Sequence, residues 1–396
     1  MHLKVALVSV GLLGILLSPF CDASCYAQSS KSYSRSKDTH AIEDFPTPTE
    51  LVEKQAQRQL EESPDLPERA RREAVGPGQV ISTPTEKRET ASQSTFVGKD
   101  DPTVDASVDK EQVKDRPTIA LALGGGGARG AAHVGVLRVL KEANIPIDYI
   151  VGNSMGSIVG GLYAAGVPLD DIEKMLLDNS LKKSYIPGFI IPTTLIFNPI
   201  KKLLNPFKKH YAGIFTGNKF GRFLEEKLPD GVENVEDTPI PFSAVATNLI
   251  DGKAYRISDG KLSTAIRASS TIPSILQPVA IGDKVYVDGG VRANMPASAA
   301  RDTGADIVIA VLVDEPLKEL PPKKFRKLSA IVSRLGDVML GVSDARQMPF
   351  ADIIINPDVS GIPVVNGKPA DAERAIKAGE EATKKALPII RKSLKK

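Results

Sequence analysis

Three glycine-flanked groups stand out in the chain. Gly152-Asn153-Ser154-Met155-Gly156 has the spacing G-x-S-x-G. In that pattern a tight strand-to-helix turn presents the serine hydroxyl, and the glycines on either side relieve the crowding. Upstream, Gly125-Gly126-Gly127-Ala128-Arg129-Gly130 follows an apolar run and opens a helical pattern. Backbone N–H groups exposed at such a helix start can hold a developing oxyanion. Downstream, Asp288-Gly289-Gly290 closes the short run Lys284-Val-Tyr-Val287, and a carboxylate at a strand end is well placed to join a site.

On the glycine loop alone, three readings stay open. It fits the dinucleotide fingerprint G-x-G-x-x-G, it fits an oxyanion hole, and it fits a plain strand-to-helix turn. The dinucleotide reading needs an acidic residue at the end of the next strand, about 20 positions on, where this chain has Gly152-Asn153-Ser154. A P-loop is excluded because no Gly-Lys-Ser/Thr follows. The serine motif tips the balance toward acyl transfer.

A serine nucleophile needs a base, and the four histidines are badly placed for it. His2 and His40 fall in the N-terminal region, His210 in a lysine-rich stretch, and His133 one turn into the helix after the glycines. The order Ser, then Asp or Glu, then His needs a histidine late in the chain, and none follows His210. A Ser-His-Asp triad is therefore improbable, and His133 reads as a packed helix residue supporting the loop. Asp288 alone would read as an ordinary Asp-Gly turn. Beside a serine without a histidine it becomes the candidate base. A carboxylate with an ordinary pKa of ~3.9 is a weak base, so the reading demands close positioning and an oxyanion hole that supplies much of the rate.

These groups must be held by alternating elements. Residues 118–123 read as a buried strand and 130–143 as an amphipathic helix. Residues 149–151 form a second strand, with helices at 155–165 and 169–177. The stretches 242–249 and 253–257 flank Asp251-Gly252, and 279–287 turns at Gly282-Asp283, both hairpin signals. Further strands are expected at 306–313 and 351–356, and a last helix at 371–394. Strands alternating with helices imply an α/β domain with a mostly parallel sheet.

The 396 residues carry a net charge of +3, with 42% apolar residues and no Trp. A charge so near zero argues against general nucleic-acid binding, and two cysteines exclude a disulfide framework or a cysteine zinc site. The average hides three regions. Lys4 and the apolar run 5–17 have the form of a signal peptide over residues 1–27, implying export to a periplasmic or secreted location. Residues 28–115 hold 13 basic and 18 acidic groups among few apolar ones, the composition of a disordered acidic linker. Residues 116–396 then carry 37 basic and 29 acidic groups, a basic catalytic domain.

The three glycine-flanked motifs, in this order, resemble the patatin-like phospholipase family over about 118–301. The resemblance implies a three-layer α/β/α domain with a mostly parallel central sheet, and an exported lipid acyl hydrolase of phospholipase A or lysophospholipase type. It makes Ser154 the acylated nucleophile and Asp288 its partner in a Ser–Asp dyad. Gly125 to Gly130 become the oxyanion loop, and Gly152, Asn153, Met155 and Gly156 the elbow. Gly289 and Gly290 complete the Asp-Gly-Gly motif, and no metal or cofactor is implied. The segments 267–273 and 294–296 also match the family, as parts that shape the site.

One stretch suggests a lipid surface. Positions 179–224 hold no acidic residue, eight Lys/Arg and eight of the 20 Phe/Tyr, which suits a lid or a docking surface for an anionic membrane. The bland alternative is a loop whose aromatics cover the core. Against the hydrolase stand a nucleotide-binding module and a non-catalytic member that holds a protein partner.

Overall fold

The computed structural model describes residues 80–82, 116–185, 211–315, 317–365 and 367–395. The expected signal peptide lies outside the described residues, as do the acidic linker except 80–82 and the middle of the Lys/aromatic stretch, 186–210.

The chain enters with a short strand, β1 (Val80–Ser82), and then β2 (Ile119–Leu123), whose five residues are all buried. A 3-10 turn over Gly127–Ala131 leads into α1 (Ala132–Glu142). The strand β3 (Tyr149–Asn153) follows, with α2 (Met155–Ala164), α3 (Leu169–Leu177) and α4 (Ser180–Tyr185). After α5 (Asn218–Glu225) come β4 (Phe242–Asn248), β5 (Ala254–Ile257) and α6 (Leu262–Ser269). The hairpin β6 (Val279–Ile281) and β7 (Lys284–Asp288) precedes α7 (Ala297–Arg301) and β8 (Ile307–Val311). The chain closes with α8 (Leu328–Gln347), β9 (Ile353–Ile355) and α9 (Pro369–Ser393).

The strands make one sheet in the order β1-β9-β8-β2-β3-β4-β7-β6, with β5 on β4. The pairs β9–β8, β8–β2, β2–β3 and β3–β4 are parallel, and the remaining pairs are antiparallel. Successive side chains of a strand point to opposite faces, and β2 shows the result. Ile119, Leu121 and Leu123 join one core with Val134, Leu137, Ile158 and Ile376 of the helices α1, α2 and α9. Ala120 and Ala122 join a second core with Ala297, Ala300 and Met348 on the other side. The sheet is thus covered on both faces, a three-layer α/β/α arrangement. Each fully buried Leu or Ile contributes about 1.5–3 kcal/mol, so an aliphatic core needs no tryptophan.

Two consecutive residues of β4 act as a ruler for the site. Val245 lies opposite Asn153 at the end of β3, and Ala246 lies opposite Asp288 at the end of β7. Residues 135 positions apart are brought together by that register. The helix α8, with no counterpart among the expected elements, has buried polar residues Ser343, Asp344 and Gln347 and exposed apolar ones. Its apolar residues share one stripe, as in any amphipathic helix, but here that stripe faces outward.

Candidate active site

The elbow at Ser154 is strained in the way its motif requires. Ser154 has φ 51° and ψ −120°, in the left-handed half of backbone space where a side chain is disfavoured. The turn is so tight that a Cβ on Gly156 would lie 2.1 Å from the carbonyl oxygen of Leu123. The turn is held by donors and acceptors on both sides. Ser154 N–H donates to Ser269 Oγ at 3.1 Å, and Ser157 Oγ donates to the Ser154 carbonyl at 2.7 Å.

Asp288 meets the serine directly. Ser154 Oγ donates to Asp288 Oδ2 at 2.7 Å, and Gly290 N–H donates to Asp288 Oδ1 at 2.8 Å. The Asp288 amide donates to the Thr271 carbonyl at 2.8 Å. Residues 269–271, inside the segment expected to shape the site, therefore clamp the backbones of both partners. Asp288 is 8% exposed. Burial pushes its carboxyl up to about 6, against the pull of the hydrogen bonds from Ser154 and Gly290. It is ionised at neutral pH yet more basic than a surface aspartate.

His133 plays no part in this pair. Its Nε2–H donates to the Gly124 carbonyl at 2.7 Å, and Nδ1 finds no hydrogen-bond partner among the described residues. Burial lowers its pKa to about 4, so the ring is neutral. It braces the glycine loop, as the sequence reading expects.

The six-residue glycine loop narrows to fewer oxyanion donors than the sequence suggests. Gly125 N–H is committed to the Asn294 carbonyl at 3.0 Å, Ala128 N–H to the Val364 carbonyl at 2.9 Å, and Arg129 N–H to the Gly126 carbonyl at 3.2 Å. Gly130 packs on Met155, where an added Cβ would sit 2.4 Å from Met155 Cγ. The N–H groups of Gly126 and Gly127 meet no backbone acceptor among the described residues. At the start of α2, Ser157 N–H is taken by the Ser154 carbonyl, whereas the Met155 and Gly156 N–H groups, like those of Gly126 and Gly127, meet no backbone acceptor among the described residues.

A polar network missed by the sequence reading holds that loop. Asn153 Nδ2 donates to the Asn294 carbonyl at 3.0 Å, and Asn294 Nδ2 donates to Gly125 O at 3.4 Å. Asn294 Nδ2 also reaches Asp314 Oδ2 and Asp344 Oδ2, each at 3.2 Å, and Met295 N–H donates to Asp344 Oδ1 at 2.9 Å. Arg129 lies 3.6 Å from Asp314 and 3.3 Å from Glu315. Burial raises both carboxyls, Asp344 well above the usual range, and the two share a hydrogen bond. The Asn294-Met-Pro296 segment was one visible signal. Asp314 and Asp344 belong to no motif.

Ser154 opens into a pocket of about 140 Å³. Gly127, Ala128 and Met155 lie beside the serine, and Ile158, Leu176, Leu181, Tyr185, Ile272 and Val364 give apolar walls. Lys182 and Lys368 stand at its edge, both exposed. Tyr185 donates its hydroxyl to the Ser270 carbonyl, and its ring meets Phe220 edge to face at 5.1 Å. Phe220 is fully buried and Phe223 packs against the core. These aromatics of the 179–224 stretch thus cover the core and line the pocket, in line with the bland alternative.

The patatin-like phospholipase family model matches residues 121–301. The chain carries a domain of that family. An uncharacterized NTE family protein of Mycobacterium tuberculosis is 33% identical over 236 residues, 59% of this chain and 60% of its own length. Human patatin-like phospholipase domain-containing protein 6 is 34% identical over 250 residues, 62% of this chain and 16% of that protein. The chain therefore spans less than two thirds of these relatives. Among solved structures, human GIVD cytosolic phospholipase A2 aligns over 73% of this chain and 61% of its own, at 13% identity and TM-score 0.41. Within the patatin-like domain, Ser154 and Asp288 are the two side chains that the three motifs and the sheet register bring into contact.

Proposed function

We propose that this protein is a serine hydrolase of lipid acyl esters, working through a Ser154 acyl-enzyme with Asp288 as general base. The observation that carries the reading is the 2.7 Å hydrogen bond from Ser154 Oγ to a buried Asp288 carboxylate, at a strained elbow facing an apolar pocket. Asp288 Oδ2 takes the hydroxyl proton as Oγ attacks the ester carbonyl, forming a C–O bond and a tetrahedral oxyanion. The Gly126 and Gly127 N–H groups and the start of α2 stabilise that charge. Collapse expels the alcohol, which receives the proton from Asp288. Water, deprotonated by the same carboxylate, then releases the fatty acid and regenerates Ser154.

The apolar walls suit an acyl chain, and the exposed amines of Lys182 and Lys368 suit the phosphate of a phospholipid or lysophospholipid. The cationic start and apolar run at 4–17 support export. The catalytic pair explains why a nucleotide-binding or non-catalytic module is the weaker reading: neither needs a base hydrogen-bonded to a strained serine.

A fluorophosphonate probe tests the assignment. It should label the wild-type protein and spare Ser154→Ala, with Asp288→Asn labelled far more slowly. Labelling that persists in Ser154→Ala would overturn it.

A further inference from the structure

The longest exposed apolar surface among the described residues lies away from the pocket, on α8. Leu328, Ile331, Leu335, Val338, Met339 and Val342 are 39–61% exposed. At 100° per residue all six fall within about a third of the helix circumference. The rest of the circumference holds Ser343, Asp344 and Gln347, which bond to Asn294, Met295 and Ser298. The helix is thus anchored by polar groups and shows its apolar stripe to solvent, the reverse of a core helix. It packs beside the turn Gly289–Val291, where Val291 is 46% exposed.

The residues before the stripe supply charge. Lys318, Lys323, Lys324, Arg326 and Lys327 are exposed, against one acid, Glu319, in the same ten positions. The 3-10 turn Pro322–Arg326 packs on α8. Asp337, partly buried, is the one other acid on the helix besides the buried Asp344. No helix among the described residues is long and apolar enough to cross a membrane. An apolar stripe beside a cluster of cations is what an interfacial helix presents to a bilayer with anionic headgroups.

We propose that the outer face of α8, with the basic turn at 322–327, is a docking surface for an anionic lipid bilayer. The choice of partner rests on the lipid-hydrolase reading. Docking would lay the outer face of α8 in the headgroup layer.

The test is co-sedimentation of the full chain with phosphatidylcholine vesicles, with and without about 30 mol% phosphatidylglycerol. Hydrolysis of a soluble short-chain ester is followed in parallel. Leu335→Asp with Met339→Asp should weaken vesicle partitioning roughly tenfold or more. Lys323→Gln, Lys324→Gln and Lys327→Gln together should weaken binding to the anionic vesicles roughly 100-fold and leave the neutral ones unaffected. Both variants should keep the wild-type rate on the soluble ester, which also shows that they fold. Wild-type partitioning by the α8 variant, or no vesicle binding by the wild type, overturns the proposal. A wild-type dimer that the α8 variant turns into a monomer also overturns it, because the face is then an interface between copies. If vesicle binding maps to α8 but Ser154 proves uninvolved in ester turnover, docking stands and the hydrolase reading falls.

Discussion

Replacing Asp288 with asparagine should stabilise the fold while disabling the site, and the gain should depend on pH. The carboxyl titrates at about 6 in the folded chain, against 3.8 for the free group. Each unit of that difference corresponds to about 1.36 kcal/mol, so ionising Asp288 inside the fold costs about 3 kcal/mol. Between those two pKa values the folded state holds a proton that the unfolded chain has released. Wild-type stability from this group therefore falls as pH rises from about 4 to about 7, and is level above that. Asparagine keeps the shape and can still accept from Gly290 N–H, but has no charge to bury. The stability difference, variant minus wild type, should thus grow by up to about 3 kcal/mol between pH 4 and pH 7. Imperfect pairing of the new amide lowers the whole curve without changing that rise. Urea unfolding of both proteins across this range measures it. Ester turnover by the variant should fall roughly 10²–10⁴-fold. A stability difference that does not change with pH would refute the reasoning, because it would mean that Asp288 carries no desolvation penalty.

Three further outcomes follow from the same geometry. Ester hydrolysis should rise with pH through an apparent pKa of about 6 and then level off; a profile already flat at pH 5 would remove Asp288 as the titrating base. Ser154→Gly should be more stable than Ser154→Ala by about 1 kcal/mol in thermal unfolding, because alanine keeps a Cβ at positive φ. The opposite order would mean that the elbow is unstrained. In Gly125→Ala the new Cβ would lie 2.5 Å from Asn294 Oδ1, 2.8 Å from Asn153 Nδ2 and 3.1 Å from Ser154 Cβ. That overpacking should cost about 1–3 kcal/mol and slow turnover, both readable by denaturation and ester assay.

Much of this architecture is written locally. β2 ends where its run of buried residues gives way to glycine, and α3 spans the very residues whose apolar spacing marks it, Leu169–Leu177. The serine, the aspartate and the glycine loop announce themselves because their chemistry needs particular backbone shapes. What stays hidden depends on register and burial. Asp288 reaches Ser154 only because β4 pairs with both β3 and β7. Asp314 and Asp344 carry no motif, and a buried carboxyl pair looks in sequence like two solvated acids. The glycine loop shows which residues supply N–H groups but not which of those groups are already taken, as Gly125's is by Asn294. What the apolar spacing of α8 cannot show is that its apolar residues face outward and its polar ones inward.

Acyl transfer should pass through Ser154 Oγ. Rapid-quench peptide mass spectrometry, with a phospholipid as substrate, addresses it directly. A fatty-acyl mass should be added to Ser154 during turnover, accumulating in neither Ser154→Ala nor Asp288→Asn. An acyl adduct on another residue, or undiminished turnover by Ser154→Ala, would contradict it.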